Sequence, residues 1–206
     1  MKKDRLDKQL EFILAIDKEK NIFRQTYVSD ASRMENDAEH AWHMAVMCMI
    51  LSEYAEHPID KLKTMTMLLI HDLVEIYAGD TYAYAGVDAE EIHQREYAAA
   101  EKLYGMLPEE QGIYFMNLWK EFEEGKSPEA QFARTMDRIQ PMMLNAATYG
   151  RAWKEHKVRL SQIMKRNEHT AKGSSVLWDY ALKHFVMPHV ESGEIIDDET
   201  HSTGVK

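Results

Sequence analysis

A chain of 206 residues, 45% hydrophobic and 29% charged, is long enough to bury one sizeable core and ordinary for a globular protein. Its formal net charge of −10 excludes broad electrostatic capture of polymeric nucleic acid or an anionic membrane surface. An anionic partner must therefore be met by a local cation or a metal. The one cysteine, Cys48, lies in the apolar run 45–51, so no internal disulfide is available and a buried thiol in a reducing compartment is expected. No signal-type segment and no run of membrane-spanning length is read, which makes the cytoplasm the expected location.

In chain order the sequence reads as nearly all helix. Residues about 4–17 place Leu6, Leu10, Ile13 and Leu14 on one stripe at helical spacing, which predicts an amphipathic helix. Residues about 18–36 are polar and irregular and read as a long loop. A helix over about 37–56 follows, with Asp37 placed to cap its first turn and His57-Pro58 to stop it. The segment about 59–77 is apolar on most faces and reads as one central buried helix, with His71-Asp72 in its C-terminal half. Residues 81–88 form a small-residue loop and candidate lid, whose Tyr82 and Tyr84 either stack on a bound ligand or pack.

Helices are then expected over about 89–105, 109–124 and 127–150, the last broken or kinked near Pro141, and over about 174–191. Tyr114, Phe115, Trp119 and Phe122 supply core or an apolar interface. No repeat, glycine-rich phosphate loop or strand series is found. The expected architecture is a single-domain all-α helical bundle spanning 1–191, with a metal core at about 33–145 and a polar, frayed tail at 192–206.

Four side chains carry chemistry. His40, His71, Asp72 and Asp137 offer two imidazoles and two carboxylates from helical segments, a ligand set for one divalent metal with room for water and a substrate oxygen. A carboxylate in the most apolar helix is costly unless paired or metal-bound. Asp137 has an alternative in a salt bridge to Arg134 or Arg138. His43 shares a helical face with His40 and is either a fifth ligand or a core histidine. Mixed nitrogen and oxygen donors suit Mn, Co, Zn, Ni, Fe or Mg without choosing among them.

In this order, within 33–40, 69–80 and 135–138, these residues resemble the signature of the HD-domain superfamily of metal-dependent phosphohydrolases, His, then His-Asp, then a distant Asp. Within it the chain is similar to the small HD hydrolases that include 5′-deoxynucleotidases. The resemblance implies an all-helical fold and one metal on His40, His71, Asp72 and Asp137. It implies that Glu75 assists catalysis, that Asp80 lies near the sugar and the attacking water, and that Arg24 clamps the substrate phosphate.

Where the deoxynucleotidases carry a tryptophan after that arginine, this chain has Gln25, Thr26 and Tyr27, and Tyr27 is counted with the substrate-binding residues. Arg33 is a second candidate phosphate cation, or else a brace to Glu35 or Glu39. The function implied is release of phosphate from (deoxy)nucleoside 5′-monophosphates, with a small phosphorylated substrate and a homodimer as expected partners. Alternatives left open are a phosphodiester- or triphosphate-cleaving relative, an iron-dependent oxygenase, and a metal-binding regulatory domain without activity.

Overall fold

The computed structural model describes residues 4–79 and 89–198. Helix α1 (Arg5–Ile16) starts at a reciprocal cap, in which the Asp4 carboxylate accepts from Asp7 N–H and the Asp7 carboxylate accepts from Asp4 N–H. The stripe read from its periodicity does not face the core: Leu6, Leu10, Ile13 and Leu14 are exposed, while Phe12 and Ala15 are buried. Phe12 stacks on Phe115 with ring centroids 6.0 Å apart, and that contact decides which face turns inward.

The expected loop after α1 is ordered. A 3-10 turn (Asp17–Asn21) leads into an antiparallel hairpin of β1 (Phe23–Tyr27) and β2 (Met34–Asn36), paired Phe23 to Asn36 and Tyr27 to Met34 with an irregular register between. Aromatic and β-branched residues in β1 suit a half-buried extended strand too short to announce itself. Helix α2 (Asp37–Leu51) is capped by Asn36 rather than Asp37: the Asn36 side chain accepts from Glu39 N–H and the Glu39 carboxylate accepts from Asn36 N–H. Asp37 is thereby released from capping and is fully buried.

The single helix expected over 59–77 is three pieces: α3 (Lys61–Ile70), a 3-10 turn (His71–Val74) and α4 (Glu75–Ala78), ended by Gly79 at φ 78°. The tighter turn falls on the His-Asp pair, so the helix is re-wound where its chemistry lies. Helices α5 (Ala89–Tyr104), α6 (Glu109–Glu124) and α7 (Pro128–Ala147) follow as expected. No break occurs at Pro141; α7 continues past it, and Asn145 Nδ2 donates to the Pro141 carbonyl at 2.8 Å.

Helices α8 (Arg151–Glu155) and α9 (Leu160–Arg166) were not legible in advance. α10 (Ser175–Ala181) and α11 (Met187–Glu191) are joined by a π turn (Leu182–Val186) just ahead of Pro188, which has no N–H to continue an α ladder. The segment after Ser192, expected to fray, is tied down as far as Asp198. Ile195 is buried, Ile196 bridges to Arg159, and the Asp198 carboxylate accepts from Ser161 N–H and Oγ–H.

The core is one apolar cluster running through α2, α3, α5, α6 and α7, with Met44, Met67, Leu68, Leu103, Trp119, Phe132 and Met136 essentially inaccessible. Helices α2, α3 and α7 pack on one another, which brings the first turns of α2, the end of α3 and the middle of α7 to one place. Among the described residues no helix is long and apolar enough to cross a membrane.

Candidate metal centre

At that place His40 from α2, His71 and Asp72 from the 3-10 turn, and Asp137 from α7 converge. His40, His71 and Asp72 each bring a ligand atom within 4.8 Å of the others. Asp137 Oδ1 lies 3.3 Å from His40 Nε2 and 3.9 Å from His71 Nε2, and His71 Nε2 is 3.1 Å from Asp72 Oδ1. Both imidazoles are turned so that Nε2 faces the carboxylates. His71 Nδ1–H donates to the Leu68 carbonyl at 3.0 Å, and His40 Nδ1–H donates to Gln140 Oε1 at 2.9 Å. The His71 ring also packs on Phe122, centroids 4.7 Å apart.

These residues fit a divalent cation. His71 Nε2 is buried, makes no aligned hydrogen bond among the described residues and faces the centre of the donor set. The field there asks for positive charge. Burial works against an imidazolium at His71, yet the Asp72 and Asp137 carboxylates outweigh it and lift its pKa to about 10. Burial likewise opposes ionisation of Asp72 and Asp137, and the neighbouring imidazoles and arginines still hold both well below the usual carboxylate range. Two imidazoles and two ionised carboxylates with open positions are a usual ligand set for a catalytic divalent metal.

Arg24, from β1, enters this centre. Its Nη1 donates to Asp72 Oδ2 at 2.8 Å and to Asp37 Oδ1 at 3.1 Å, bridging a putting-in of charge from two elements. Glu19, in the preceding 3-10 turn, is buried, and its Oε1 has no hydrogen-bond partner among the described residues. Burial, with Asp72 and Asp37 nearby, pushes its pKa up to about 7.

The centre opens into a cavity of about 300 Å³ lined on one side by Arg24, Gln25, Thr26 and Glu75. Asp80, with Tyr82, Tyr84 and the rest of the candidate lid, lies outside the described residues. Arg33 is not brought to the cavity: it is half exposed and grips the Glu39 carboxylate with both Nη atoms, at 2.6 and 2.7 Å, the bracing alternative. Tyr27 also faces elsewhere, its hydroxyl donating to Glu155 at 3.0 Å and its ring lying 4.0 Å from the Arg151 guanidinium. His43 Nδ1 accepts from Gln140 Nε2 at 3.2 Å, one layer behind His40. Asp137 uses both edges, with Oδ2 accepting from Arg138 at 3.0 Å.

Sequence reasoning missed several walls of the cavity, among them Glu96, Glu123, Asn145 and Trp153. Burial, then Glu123 and Asp72, raises the Glu96 pKa to about 7, and burial raises Glu123 as well. Nothing in the charged face of α5 separates Glu96 from its solvated neighbours, and Trp153 belongs to a helix that was not read.

A bundle of α-helices whose core closes on a His, His-Asp, Asp cluster beside a polar cavity defines a helical metal-centre protein of the HD type. Residues 16–178 match the family model described as HD domain, and the chain belongs to that family. It is 30% identical over 141 residues to human (Homo sapiens) 5′-deoxynucleotidase HDDC2, covering 68% of this chain and 67% of the relative. Against the 5′-deoxynucleotidase HDDC2 of Dictyostelium discoideum it is 32% identical over 146 residues, covering 68% and 76%. A crystal structure from Magnetospirillum magnetotacticum MS-1, described as a predicted metal-dependent phosphohydrolase, superposes with a TM-score of 0.86 at 41% identity over 93% of this chain and 95% of that one.

Proposed function

We propose that this protein is a metal-dependent phosphomonoesterase that releases phosphate from deoxynucleoside 5′-monophosphates. The observation that carries the reading is the convergence of His40, His71, Asp72 and Asp137 at the floor of a cavity that also holds Arg24 and Glu75. The relatives named as 5′-deoxynucleotidases supply the substrate class.

In this reading the four side chains hold one divalent ion, drawn from Mn, Co, Zn, Ni, Fe or Mg, which supplies Lewis acidity that acidifies a water and polarises a phosphoryl oxygen. The Nδ1–H bonds of His40 and His71 keep their Nε2 lone pairs directed at the centre. Arg24 is a fixed, partly buried cation beside Asp72, and it stabilises negative charge that accumulates on the phosphoryl oxygens. Glu75, on the cavity wall, moves the proton at the departing ester oxygen. The role of Asp80 at the water and the sugar rests on the family resemblance alone. Tyr27 and Arg33 bind substrate only by exchanging Glu155 and Glu39 for it.

The location assigned is the cytoplasm, in keeping with the single buried thiol of Cys48. A homodimer belongs to the same reading, since α1 and α2 expose Leu14, Trp42, Met49 and Ile50 to solvent.

The test is inorganic phosphate release from a panel of deoxy- and ribonucleoside 5′-monophosphates, with triphosphates and diesters as comparison, in Mn, Co or Mg. Turnover of deoxy monophosphates that disappears in His71→Ala is the expected result. Metal-loaded protein that releases phosphate from none of the monophosphates overturns the reading.

A further inference from the structure

Behind the metal centre lies a buried polar chain that the proposed chemistry does not use. Glu35 on β2, Gln140 on α7 and His40 on α2 are each 3% exposed or less. Gln140 Nε2 donates to Glu35 Oε1 at 2.7 Å and to His43 Nδ1 at 3.2 Å, while Gln140 Oε1 accepts from His40 Nδ1–H at 2.9 Å. The second Glu35 oxygen is buried without a hydrogen-bond partner among the described residues and lies 3.5 Å from the same His40 Nδ1.

We propose that Glu35 and Gln140 are positioning residues that fix the tautomer of His40 and so set the metal affinity of the centre. A carboxylate only accepts hydrogen bonds, so Glu35 turns the amine end of the Gln140 amide toward itself. The amide oxygen is then left for His40, and an oxygen at Nδ1 requires the proton to sit there. The Nε2 lone pair is thereby committed to the side where Asp72 and Asp137 lie.

The same orientation uses both amide protons of Gln140, one on Glu35 and one on His43, and it makes His43 Nδ1 an acceptor. His43 is thus part of the brace. Gln140 lies one helical turn beyond Asp137, so the residue that orients one ligand is carried by the helix that supplies another.

His71 differs in a way that makes the proposal testable. Its Nδ1 is held by the backbone carbonyl of Leu68, which no side-chain substitution removes. Only the His40 tautomer depends on replaceable groups.

This inference rests on the metal centre of the reading above, and its test separates the two. Glu35→Gln leaves an amide opposite an amide, so the Gln140 side chain loses its reason to face one way. Gln140→Glu keeps an acceptor at position 140 but sets two buried carboxylates against each other, and their repulsion pushes that acceptor off His40 Nδ1. Each single variant is expected to weaken Mn(II) affinity, measured by calorimetry, by about 10- to 100-fold.

The double variant Glu35→Gln/Gln140→Glu reverses the pair: the amide at 35 donates to the carboxylate at 140, which holds that acceptor against His40 Nδ1. It is expected to recover most of the lost affinity, which a merely structural role would not produce. Unchanged affinity in both single variants, or a double variant whose loss is the sum of the two in free energy, overturns the proposal.

Discussion

His40 Nε2 stands 3.3 Å from Asp137 Oδ1, although 97 positions separate the two residues in the chain. Only the packing of α2 against α7 makes that distance, and Arg138 on the other carboxylate oxygen keeps Asp137 from rotating away. Asp137→Ala removes the ligand that closes the set from the far side of the bundle. In wild type, Mn(II) at a hundred times its dissociation constant is expected to stabilise the fold by about 2.7 kcal/mol. In Asp137→Ala the metal-induced rise in Tm at the same concentration is expected to vanish. An equal rise in both proteins would show that Asp137 is not a ligand.

Glu19 gives the metal-free protein a pH dependence of definite sign. Its folded-state pKa is raised from 4.5 to about 7, so the folded state holds a proton that the unfolded chain has released. Stability from this group is fully present below pH 4.5 and is lost as pH rises through about 7. Glu19→Gln is therefore expected to be more stable than wild type at pH 8, by on the order of 2–3 kcal/mol, with the advantage shrinking toward pH 4.5. Urea midpoints at the two pH values check it; an equal difference at both assigns the effect to packing instead.

The parts of the molecule that the sequence disclosed and the parts it hid divide along physical lines. Helices α5 and α6 end at Gly105 and Gly125, and their boundaries were readable because glycine and proline act locally. The candidate ligands were readable because a buried His-Asp pair needs an unusual reason to exist. The orientation of α1 was not, since four leucine and isoleucine side chains outweigh Phe12 in any count of periodicity while a single Phe12–Phe115 stack decides the packing. Glu35 and Gln140 were hidden for the same reason: their meaning lies in a contact across 105 positions that leaves no local pattern.

That inversion of α1 predicts a contrast between neighbours. Leu10→Gln, on the exposed stripe, is expected to change stability by no more than about 0.5 kcal/mol. Phe12→Ala, two residues on, is expected to cost about 3–5 kcal/mol, because it empties the contact with Phe115. Thermal melts of the two variants decide it. A large loss in Leu10→Gln alone would mean that the stripe is covered, by another copy of the chain or by a partner.

Arg24 has a structural duty as well as its proposed catalytic one. Its guanidinium is the shared cation of Asp37, which is fully buried, and Asp72, whose side chain is 14% exposed. Arg24→Leu is expected to destabilise the metal-free fold by about 3–5 kcal/mol, since it leaves buried negative charge without that cation. Arg24→Lys should recover only part, because a point charge cannot bridge two carboxylates as a guanidinium does. Saturating Mn(II) is expected to narrow the gap between Arg24→Leu and wild type by supplying positive charge at Asp72. Urea unfolding with and without metal measures both effects, and a gap that metal leaves unchanged would separate Arg24 from the centre.

The end of the described chain offers a test on stability alone. Asp198 caps the first turn of α9 through Ser161 N–H at 3.0 Å and Ser161 Oγ–H at 2.6 Å, and Ile195 is 1% exposed. Asp198→Ala is expected to cost about 1 kcal/mol, the loss of one helix cap. Ile195→Ala is expected to cost about 2–5 kcal/mol, because it opens a cavity where α9 and α11 meet the tail. Neither residue lines the cavity at the candidate metal centre, so Mn(II) affinity should be unaltered in both. Midpoints of urea unfolding equal to wild type in both variants would mean that the residues after Ser192 are dispensable to the fold.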